Sequence, residues 1–307
     1  MSASITYIIV TWNNKKEIKE CLKTVEEYSP SGYQVFVVDN ASTDITTSII
    51  EKNFPKARLI KSKENLGFAE GNNLALKDVK TDYVCFLNPD VILTEDIATP
   101  SIRELEQDSN IGLISCRLNN RDGSWQPSTF GFANSRNLYN EILHVGAFMP
   151  QKICRKKYIN HYHPTESFSP DWVIGAEMVM RTADAKKIGV FSTEYYMYTE
   201  DMDFCKKIET KLQKKILFLP NVSLIHLGGA SEAQNVNYKK QKKLFENDLI
   251  FVKKFYGEEE AERTLKSIKH AYRIRERLLK TLYYKPDREK QIRNTGEAIN
   301  ILQEITI

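Results

Sequence analysis

The stretch Asp82-Tyr83-Val84-Cys85-Phe86-Leu87-Asn88-Pro89-Asp90-Val91 governs the interpretation of the whole chain. Its apolar run, residues 83–87, predicts a buried strand. Proline cannot continue a central β-ladder and holds the residue before it extended, so this strand ends at Asn88. Asp90 is therefore expected at the carboxyl end of a strand, where open α/β sheets bind ligands. A carboxylate there suits a divalent metal on a diphosphate, although Asn-Pro-Asp is also ordinary turn chemistry.

On both sides of this stretch, apolar β-branched runs alternate with segments of helical periodicity. Further strands are predicted at residues 5–11, 35–38, 58–60, 111–116, 172–181, 215–219 and 222–225. Such alternation indicates an α/β fold, Rossmann-like, with a mostly parallel sheet flanked by helices. No GxGxxG follows the first strand and no GxxxxGK[ST] occurs, which argues against dinucleotide oxidoreductases and P-loop enzymes.

Length, charge and cysteine content narrow the class of protein. The 307 residues suffice for one large domain with an appendage, and a net charge of +4 is too small to argue for a nucleic-acid partner. No apolar run reaches the roughly 18 residues of a transmembrane helix, and the amino terminus lacks signal-peptide character. Five scattered cysteines without CxxC spacing predict reduced thiols, so a cytoplasmic location is expected.

The chain changes character after Tyr238, where three helices rich in Lys, Arg and Glu are predicted near residues 238–256, 259–282 and 286–302. We place a boundary near residue 236, which separates an α/β domain, 1–236, from a helical region, 237–307. Residues 119–170 are predicted to form a long excursion that carries substrate contacts. The basic helices are expected to pack on their own domain or on a second subunit, as in a homodimer. The alternative is that they rest on anionic lipid.

Two more polar groups follow predicted strands. Asp39 could accept the imide N–H of uracil or thymine, or a ribose hydroxyl; the alternative is a helix-capping turn. In Asn65-Leu66-Gly67-Phe68-Ala69, the glycine allows close approach of the backbone to a ligand, and the next helix can direct N–H groups at phosphate or ribose. The alternative there is a simple strand-to-helix turn.

Acid–base and metal candidates come later in the chain. Glu200-Asp201 opens a predicted helix, where the macrodipole favours carboxylates as caps; the functional alternative is a general base that deprotonates a hydroxyl. His226 precedes Gly228-Gly229 and could be a neutral imidazole ligand, although a lone histidine at a strand end is more often structural. The histidines of the excursion show no interpretable ligand spacing: His144, His161 and His163.

The order of these motifs is more specific than any one of them. VVDNASTD, NLGFAEGNN, FLNPDV, VIGAEMVMR, TEDMDFC and HLGG follow one another as in family 2 glycosyltransferases. The chain resembles the bacterial rhamnosyltransferase-like subgroup of that family, which has a GT-A fold. The resemblance covers about residues 5 to 232 and leaves the C-terminal helices outside it.

The resemblance implies a role for each matching position. Nucleotide contacts fall on Thr11, Asn13, Asp39, Asn65, Gly67, Asn88 and Asp90, with Asp39 reading the pyrimidine base. Positions beside the donor and acceptor sugars are Trp172, Gly175, Ala176 and Glu200. Asp201 corresponds to the catalytic base, and Asp90 with His226 to the metal ligands. Many relatives carry Asp where this chain has Asn88, which lowers the carboxylate count at the metal.

The implied activity is inverting transfer from a nucleotide-diphosphate sugar, dTDP-rhamnose or a UDP-sugar, with Mn²⁺ or Mg²⁺ as cofactor. The acceptor would be a hydroxyl of a glycan or lipid-linked molecule in surface polysaccharide synthesis, with the enzyme cytoplasmic or peripheral on the inner face of the membrane. One alternative is a non-catalytic nucleotide-sugar-binding scaffold. Another is a sugar nucleotidyltransferase, which Thr11-Trp12-Asn13-Asn14 disfavours because that class has a glycine-rich basic loop there.

Overall fold

A computed structural model describes residues 4–189, 191–195, 198–228, 238–281 and 286–307. The strands are β1 Ile5–Thr11, β2 Gln34–Asp39, β3 Arg58–Lys61, β4 Tyr83–Leu87, β5 Val91–Leu93, β6 Ile111–Asn119, β7 Trp125–Gln126, β8 Thr129–Phe130, β9 Trp172–Val173, β10 Glu177–Arg181 and β11 Lys215–His226. The helices are α1 Ile18–Tyr28, α2 Thr46–Asn53, α3 Gly67–Leu76, α4 Ala98–Gln107, α5 Ser135–Ile142, α6 Gln151–Lys157, α7 Thr182–Ile188, α8 Glu200–Lys207, α9 Tyr238–Tyr256, α10 Glu258–Thr281 and α11 Arg288–Glu304.

The main sheet has the strand order β3-β2-β1-β4-β10-β6-β11-β5, with β7 added to β6. Neighbours are parallel from β3 to β4 and between β6 and β11, whereas β10 runs antiparallel to both of its neighbours. The predicted mixed, mostly parallel sheet flanked by helices is confirmed. The apolar run 83–87 forms β4, which is wholly buried beside β1, as a central strand requires.

Two predicted strands differ from the observed ones. Residues 172–181 do not form one strand, because the backbone leaves the ladder between β9 and β10. There the Ile174 N–H donates to the Ser128 carbonyl and the Gly175 N–H donates to a side chain. Conversely, residues 215–219 and 222–225 form a single strand, β11, whose register shifts between Leu219 and Ser223. Pro220, which has no N–H to donate, lies at this shift.

The chain forms two compact units, Met1–Phe130 with Pro164–Ala230, and Gly131–His163 with Ser231–Ile307. The predicted boundary near residue 236 lies outside the described residues. The first unit contains the main sheet, and its core includes the buried face of α1. The middle of the predicted excursion is more regular than its composition indicates, since it contains α5 and α6, and it groups with the C-terminal helices.

The three predicted C-terminal helices are confirmed as α9, α10 and α11. Their apolar residues form a common core that includes Leu249, Leu265, Ile268, Ile301 and Leu302. Throughout the described ranges, no helix is both long and apolar enough to cross a lipid bilayer.

Candidate functional site

Two acceptor atoms at the carboxyl end of β2 are buried without a hydrogen-bond partner among the described residues. Asp39, 3% exposed, accepts from the Ser42 N–H through Oδ2 at 3.1 Å, while its Oδ1 has no partner in the part of the chain described. Asn40 donates from Nδ2 to the Gly67 carbonyl at 3.0 Å and leaves its own Oδ1 unpaired. A buried polar atom without a partner is costly unless water or a ligand satisfies it. Asp39 and Asn40 are therefore suited to receive N–H or O–H donors from a bound molecule.

The loop after β1 is tied to the loop after β2. Asn13, which has a left-handed φ of 54°, accepts through Oδ1 from the Thr43 N–H at 2.8 Å. Its own N–H donates to Ser42 Oγ at 2.9 Å. Thr11 is buried at the end of β1, in register with Asp39 on the parallel neighbour. The predicted nucleotide residues Thr11, Asn13 and Asp39 thus lie at the same edge of the sheet.

The loop before α3 contacts the end of β2 through Gly67 and the segment before β10 through Phe68. Asn65 accepts from the Gly67 N–H through Oδ1 at 2.9 Å, and Gly67 has a φ of 75°, which residues with a Cβ rarely adopt. The next residue, Phe68, packs on Gly175, where an added Cβ would lie 3.1 Å from the ring. The glycine therefore permits close contact between this loop and the segment before β10.

The predicted metal ligands Asp90 and His226 lie side by side. Asp90 Oδ1 is 3.4 Å from His226 Nε2, and the side chains are 12% and 11% exposed. Antiparallel pairing of β5 with β11 sets His226 opposite Val91, which brings the two together. Two cis ligands, each about 2.1 Å from one metal ion, are roughly 3 Å apart. The spacing is therefore close to that of a ligand pair.

The surroundings of His226 favour a cation at this position. Its Nδ1 is 2.7 Å from Gln126 Oε1, and Gln126 Nε2 donates to Asn120 Oδ1 at 3.2 Å, which fixes the amide orientation. Nδ1 therefore carries the proton in the neutral ring, and Nε2 directs a lone pair at the Asp90 carboxylate. Asn88 Nδ2 lies 3.4 Å from the same nitrogen. An imidazole nitrogen beside a carboxylate oxygen is a donor set that divalent metals bind, so these residues fit a divalent metal.

Asp201 is fixed at the start of α8 by two backbone donors. The Met202 N–H donates to Oδ1 at 2.8 Å and the Gly175 N–H donates to Oδ2 at 3.1 Å. Phe204 of the same helix packs against Phe86 of β4, with ring centres 5.8 Å apart, and anchors α8 on the sheet. The Asp201 side chain remains partly exposed. A carboxylate held in this way can act as a positioned base.

The two acids of the pair have different proton affinities. Burial raises the pKa of Asp201 in spite of its backbone N–H donors. Burial and the charge of Asp201 raise the pKa of Glu200, whose buried Oε2 has no partner among the described residues. The two carboxyl groups therefore titrate as a coupled pair, at higher pH than free carboxylates do. The preceding Tyr198 and Thr199 have φ values of 66° and 91°, a strained backbone of the kind retained at functional sites.

Direct contacts join the metal side of the edge to the base. The Asn88 N–H donates to the Ala176 carbonyl at 2.9 Å, and the adjacent Gly175 donates to Asp201. Trp172 lies farther along, in the separate β8–β9 sheet, with its ring centre 4.7 Å from that of Phe130. Contacts of Trp172 with a sugar stay a prediction.

Three residues of this edge were not identified from sequence: Asn40, Phe68 and Gln126. Asn40 and Phe68 are neighbours of predicted residues inside the motifs, so their position was a usable signal. Gln126 has no such signal, because only the pairing of β7 with β6 brings it near His226.

A second histidine-containing group lies in the second unit. Ligand atoms of Glu141, His144 and His161 lie within 4.8 Å of one another. However, Arg275 Nη1 is 2.5 Å from His144 Nε2 and also donates to the Ile142 carbonyl at 2.7 Å. Burial and this guanidinium lower the pKa of His144. The Arg275 guanidinium thus already supplies a positive charge at this group. We therefore interpret the three side chains as structural and not as metal ligands.

A cavity of about 370 Å³ lies at the opposite ends of β2 and β3, lined in part by Tyr33, Phe36 and Arg58. The Arg58 guanidinium lies 4.9 Å from the ring centre of Phe36 and is paired with Asp78. None of the predicted site residues lines this cavity.

The family model of glycosyl transferase family 2 matches residues 6–162, about half of the chain. The chain belongs to this family. The match includes the strand ends and loops that carry Thr11, Asp39, Gly67 and Asp90, and the resemblance inferred from the motifs is confirmed.

Relatives found by sequence include two proteins named as rhamnosyltransferases. The chain is 21% identical over 239 residues to the N-acetylglucosaminyl-diphospho-decaprenol L-rhamnosyltransferase of Mycobacterium tuberculosis, covering 74% of this chain and 76% of the relative. It is 25% identical over 226 residues to rhamnosyltransferase WbbL of Escherichia coli K12, covering 71% of this chain and 81% of the relative.

Solved structures show the same GT-A fold. The mannosyltransferase PcManGT of Pyrobaculum calidifontis, in complex with GDP-Man and Mn²⁺, aligns with a TM-score of 0.61 at 15% identity, over 98% of this chain and 86% of that one. Staphylococcus aureus TarS, residues 1–349, aligns with a TM-score of 0.54 at 17% identity, over 97% and 81%.

Proposed function

We propose that this family 2 enzyme is an inverting, metal-dependent glycosyltransferase of surface polysaccharide synthesis. Its donor is a nucleotide-diphosphate sugar, dTDP-rhamnose or a UDP-sugar, and its acceptor is a hydroxyl of a glycan or lipid-linked molecule. Similarity to one relative named for rhamnosyl transfer with N-acetylglucosaminyl-diphospho-decaprenol, and to a second rhamnosyltransferase, supports this choice of donor and acceptor.

The observation that carries the proposal is the contact path along the carboxyl edge of the sheet. Asn40 holds Gly67, the adjacent Phe68 packs on Gly175, and Gly175 donates to Asp201. A nucleoside-reading edge, a metal pair and a base are all needed for sugar transfer. The contact path from Asn40 to Asp201, and the hydrogen bond from Asn88 to Ala176 beside it, support this combination.

The nucleoside end of this path suits a pyrimidine. Uracil and thymine carry an imide N–H, which a buried carboxylate oxygen can accept. Asp39 Oδ1 is buried without a partner in the described structure, and Asn40 Oδ1 beside it is a second unpaired acceptor. These two atoms support a UDP or dTDP donor.

The reaction is a single displacement. Asp201 accepts the proton of the acceptor hydroxyl while that oxygen bonds to the anomeric carbon. The bond from this carbon to the diphosphate oxygen breaks at the same time, and the nucleoside diphosphate leaves with the electron pair. Attack opposite to the leaving group inverts the anomeric configuration. A positioned base of this kind contributes typically ~10²–10⁴-fold to the rate.

Asp90 and His226 would hold the divalent metal, Mn²⁺ or Mg²⁺, with Gln126 orienting the imidazole. When bound, the ion supplies positive charge beside the departing diphosphate. Asn88 offers an amide where many relatives have a second carboxylate. Water and diphosphate oxygens are therefore expected to supply more of the coordination shell.

One assay separates the proposal from its two alternatives. The protein is incubated with dTDP-rhamnose and UDP-sugars, Mn²⁺ and a panel of acceptors, including lipid-linked N-acetylglucosamine. The proposal predicts release of nucleoside diphosphate and a product whose anomeric configuration, read by NMR, is inverted. In a second incubation, the protein is given a sugar phosphate and a nucleoside triphosphate. Release of pyrophosphate there would identify a nucleotidyltransferase. Tight binding of nucleotide sugars without turnover across the panel would identify a non-catalytic scaffold.

A further inference from the structure

Residues 145–158 combine exposed apolar side chains with an excess of positive charge. The segment reads Val-Gly-Ala-Phe-Met-Pro-Gln-Lys-Ile-Cys-Arg-Lys-Lys-Tyr, with four basic residues and no acidic one. Phe148 is 83% exposed, more than any other large apolar side chain in the described ranges, and Ile153 is 41% exposed. Exposed apolar side chains among basic ones are the composition typical of a surface that binds at a membrane interface.

The local geometry fixes which side of this segment faces outward. Phe148 ends a 3₁₀ turn, Val145–Phe148, that leads through Pro150 into α6. Cys154 is buried on the inner side of α6, and its thiol contacts the Gly146 carbonyl at 3.4 Å. Ile153 shares a face of the helix with Lys156 and Lys157, three and four residues later.

No acidic side chain in the described ranges neutralises the lysines of this face. Lys152, Lys156 and Lys157 are exposed, and none forms an ion pair with any residue that the structure describes. In α10, several positive charges pair with glutamates one turn away: Arg263 with Glu259 and Glu260, Lys266 with Glu262, and Lys280 with Glu276. The lysines of α6 have no such glutamate, because residues 145–158 contain no acidic side chain, so this face is suited to an anionic partner.

We propose that residues 145–158 are a membrane-contact surface that docks on an anionic lipid bilayer. Aromatic and aliphatic side chains beside lysines suit the bilayer interface, because the apolar groups enter the headgroup boundary while the lysines meet lipid phosphates. This assigns the membrane contact to α6 and its preceding turn rather than to the C-terminal helices. It extends the proposed function, since a lipid-linked acceptor lies at a bilayer.

Vesicle flotation of the full chain tests the proposal without requiring catalysis, so its outcome is independent of the transfer chemistry. Wild-type protein is expected to float with vesicles of 30% phosphatidylglycerol in phosphatidylcholine and not with phosphatidylcholine alone. Phe148→Ser should weaken partitioning about tenfold. The triple variant Lys152→Gln, Lys156→Gln, Lys157→Gln should weaken it about fivefold for each lysine. Unchanged thermal unfolding of both variants establishes that they fold.

Two control variants replace lysines by glutamines outside residues 145–158. The triple variant Lys23→Gln, Lys77→Gln, Lys80→Gln removes exposed lysines of the first unit, and Lys239→Gln with Lys243→Gln removes lysines of α9. Both should partition like wild type. The proposal is overturned if the α9 variant alone loses flotation, or if Phe148→Ser and the α6 triple variant float like wild type. Failure of wild type to float, with retention on heparin that depends on the α6 lysines, would instead assign the surface to a soluble polyanion.

Discussion

Asp201 gives the proposed reaction a defined pH dependence. The base must be ionised, so kcat/KM falls as pH drops through the pKa of Asp201. Burial raises that pKa, which moves the acid limb of the profile above the ordinary aspartate value of 3.8. A profile of kcat/KM against pH, at saturating Mn²⁺, should show this displaced limb. A limb at or below the ordinary value would mean that another group is the base or that Asp201 is not buried in solution.

Gln126 contacts the proposed metal ligand His226 and is not itself a ligand, so its replacement tests the metal site indirectly. Replacement by leucine removes the acceptor that fixes the His226 ring, so Mn²⁺ affinity should fall about 10–100-fold while the fold is kept. Calorimetric titration with Mn²⁺ and nucleoside diphosphate measures the change. Asp78→Ala, an exposed carboxylate after α3, is the control and should bind as wild type does. Equal affinity in Gln126→Leu would argue against His226 as a ligand.

At the scale of single residues, the sequence predicted the groups that stand at strand ends. Asp39 and Asp90 follow apolar runs, and parallel strands bring their carboxyl ends to one edge, so their position was foreseeable; Asp201 lies at the start of a helix and was assigned from the order of the motifs. The position of Gln126 could not be predicted, because its contact with His226 spans 100 residues and depends on a two-residue strand. A hydrogen bond between side chains so far apart leaves no local pattern.

Among the elements, the contact of the α3 loop with the segment before β10 depends on Gly175. A methyl group there would lie 3.1 Å from the Phe68 ring, so Gly175→Ala should displace that ring and the N–H that holds Asp201. We expect about a tenfold loss of transfer, the scale of a pairwise coupling of about 1.4 kcal/mol. Phe68→Leu in the same chain should restore part of the rate. Simple addition of the two single effects would mean that the residues are not coupled.

The sheet core contains an acid that affects stability rather than chemistry. Glu177 of β10 is fully buried; its Oε2 accepts from the Cys116 N–H at 2.8 Å, and burial raises its pKa from 4.5 to about 7. The folded state therefore holds a proton that the unfolded state loses above pH 4.5. The contribution of this group to stability thus declines as pH rises from 4.5 to about 7, by about 3 kcal/mol in all.

Glu177→Gln removes this ionisation. The stability of the variant relative to wild type should therefore increase as the pH rises from 5 to 8. The measurement is the difference between the two urea midpoints at each pH. Glu51→Gln, which replaces an exposed glutamate of α2, is the control. Its difference from wild type in urea midpoint should be the same at pH 5 and at pH 8. A Glu177→Gln difference that is constant with pH would show that Glu177 is already ionised in the folded protein.

The sequence predicted apolar strands and long helices better than short helices. β1 and β4 are mostly apolar runs, the three C-terminal helices are long enough to repeat the helical period, and all are present as predicted. The division of residues 172–181 into β9 and β10 depends on where Gly175 finds its hydrogen-bond acceptor, which is a tertiary contact. The helices α5 and α6 have eight and seven residues, too few for a clear periodicity.

For the molecule as a whole, the sequence predicted an α/β domain followed by helices, and it did not predict that residues 131–163 join the helical unit. Packing within that unit explains the arrangement. Ser135 at the start of α5 receives a hydrogen bond from Ser267 Oγ of α10 at 2.9 Å, and its N–H donates to Glu260 at 3.1 Å. Such contacts join segments more than 120 residues apart, which periodicity along the chain does not encode.

The central claim is that one sheet edge performs inverting sugar transfer with Asp201 as the base, and the Asp201→Asn variant tests it most directly. Asparagine keeps the shape of the side chain but cannot take the proton, so the variant should fold and bind nucleotide normally while transfer falls ~10²–10⁴-fold. Glu209→Gln, an exposed acid just after α8, is the matched control and should retain activity. The measurement is the single-turnover rate with the donor identified in the nucleotide-sugar panel, alongside thermal unfolding. Near-wild-type turnover in a folded Asp201→Asn protein would contradict the account.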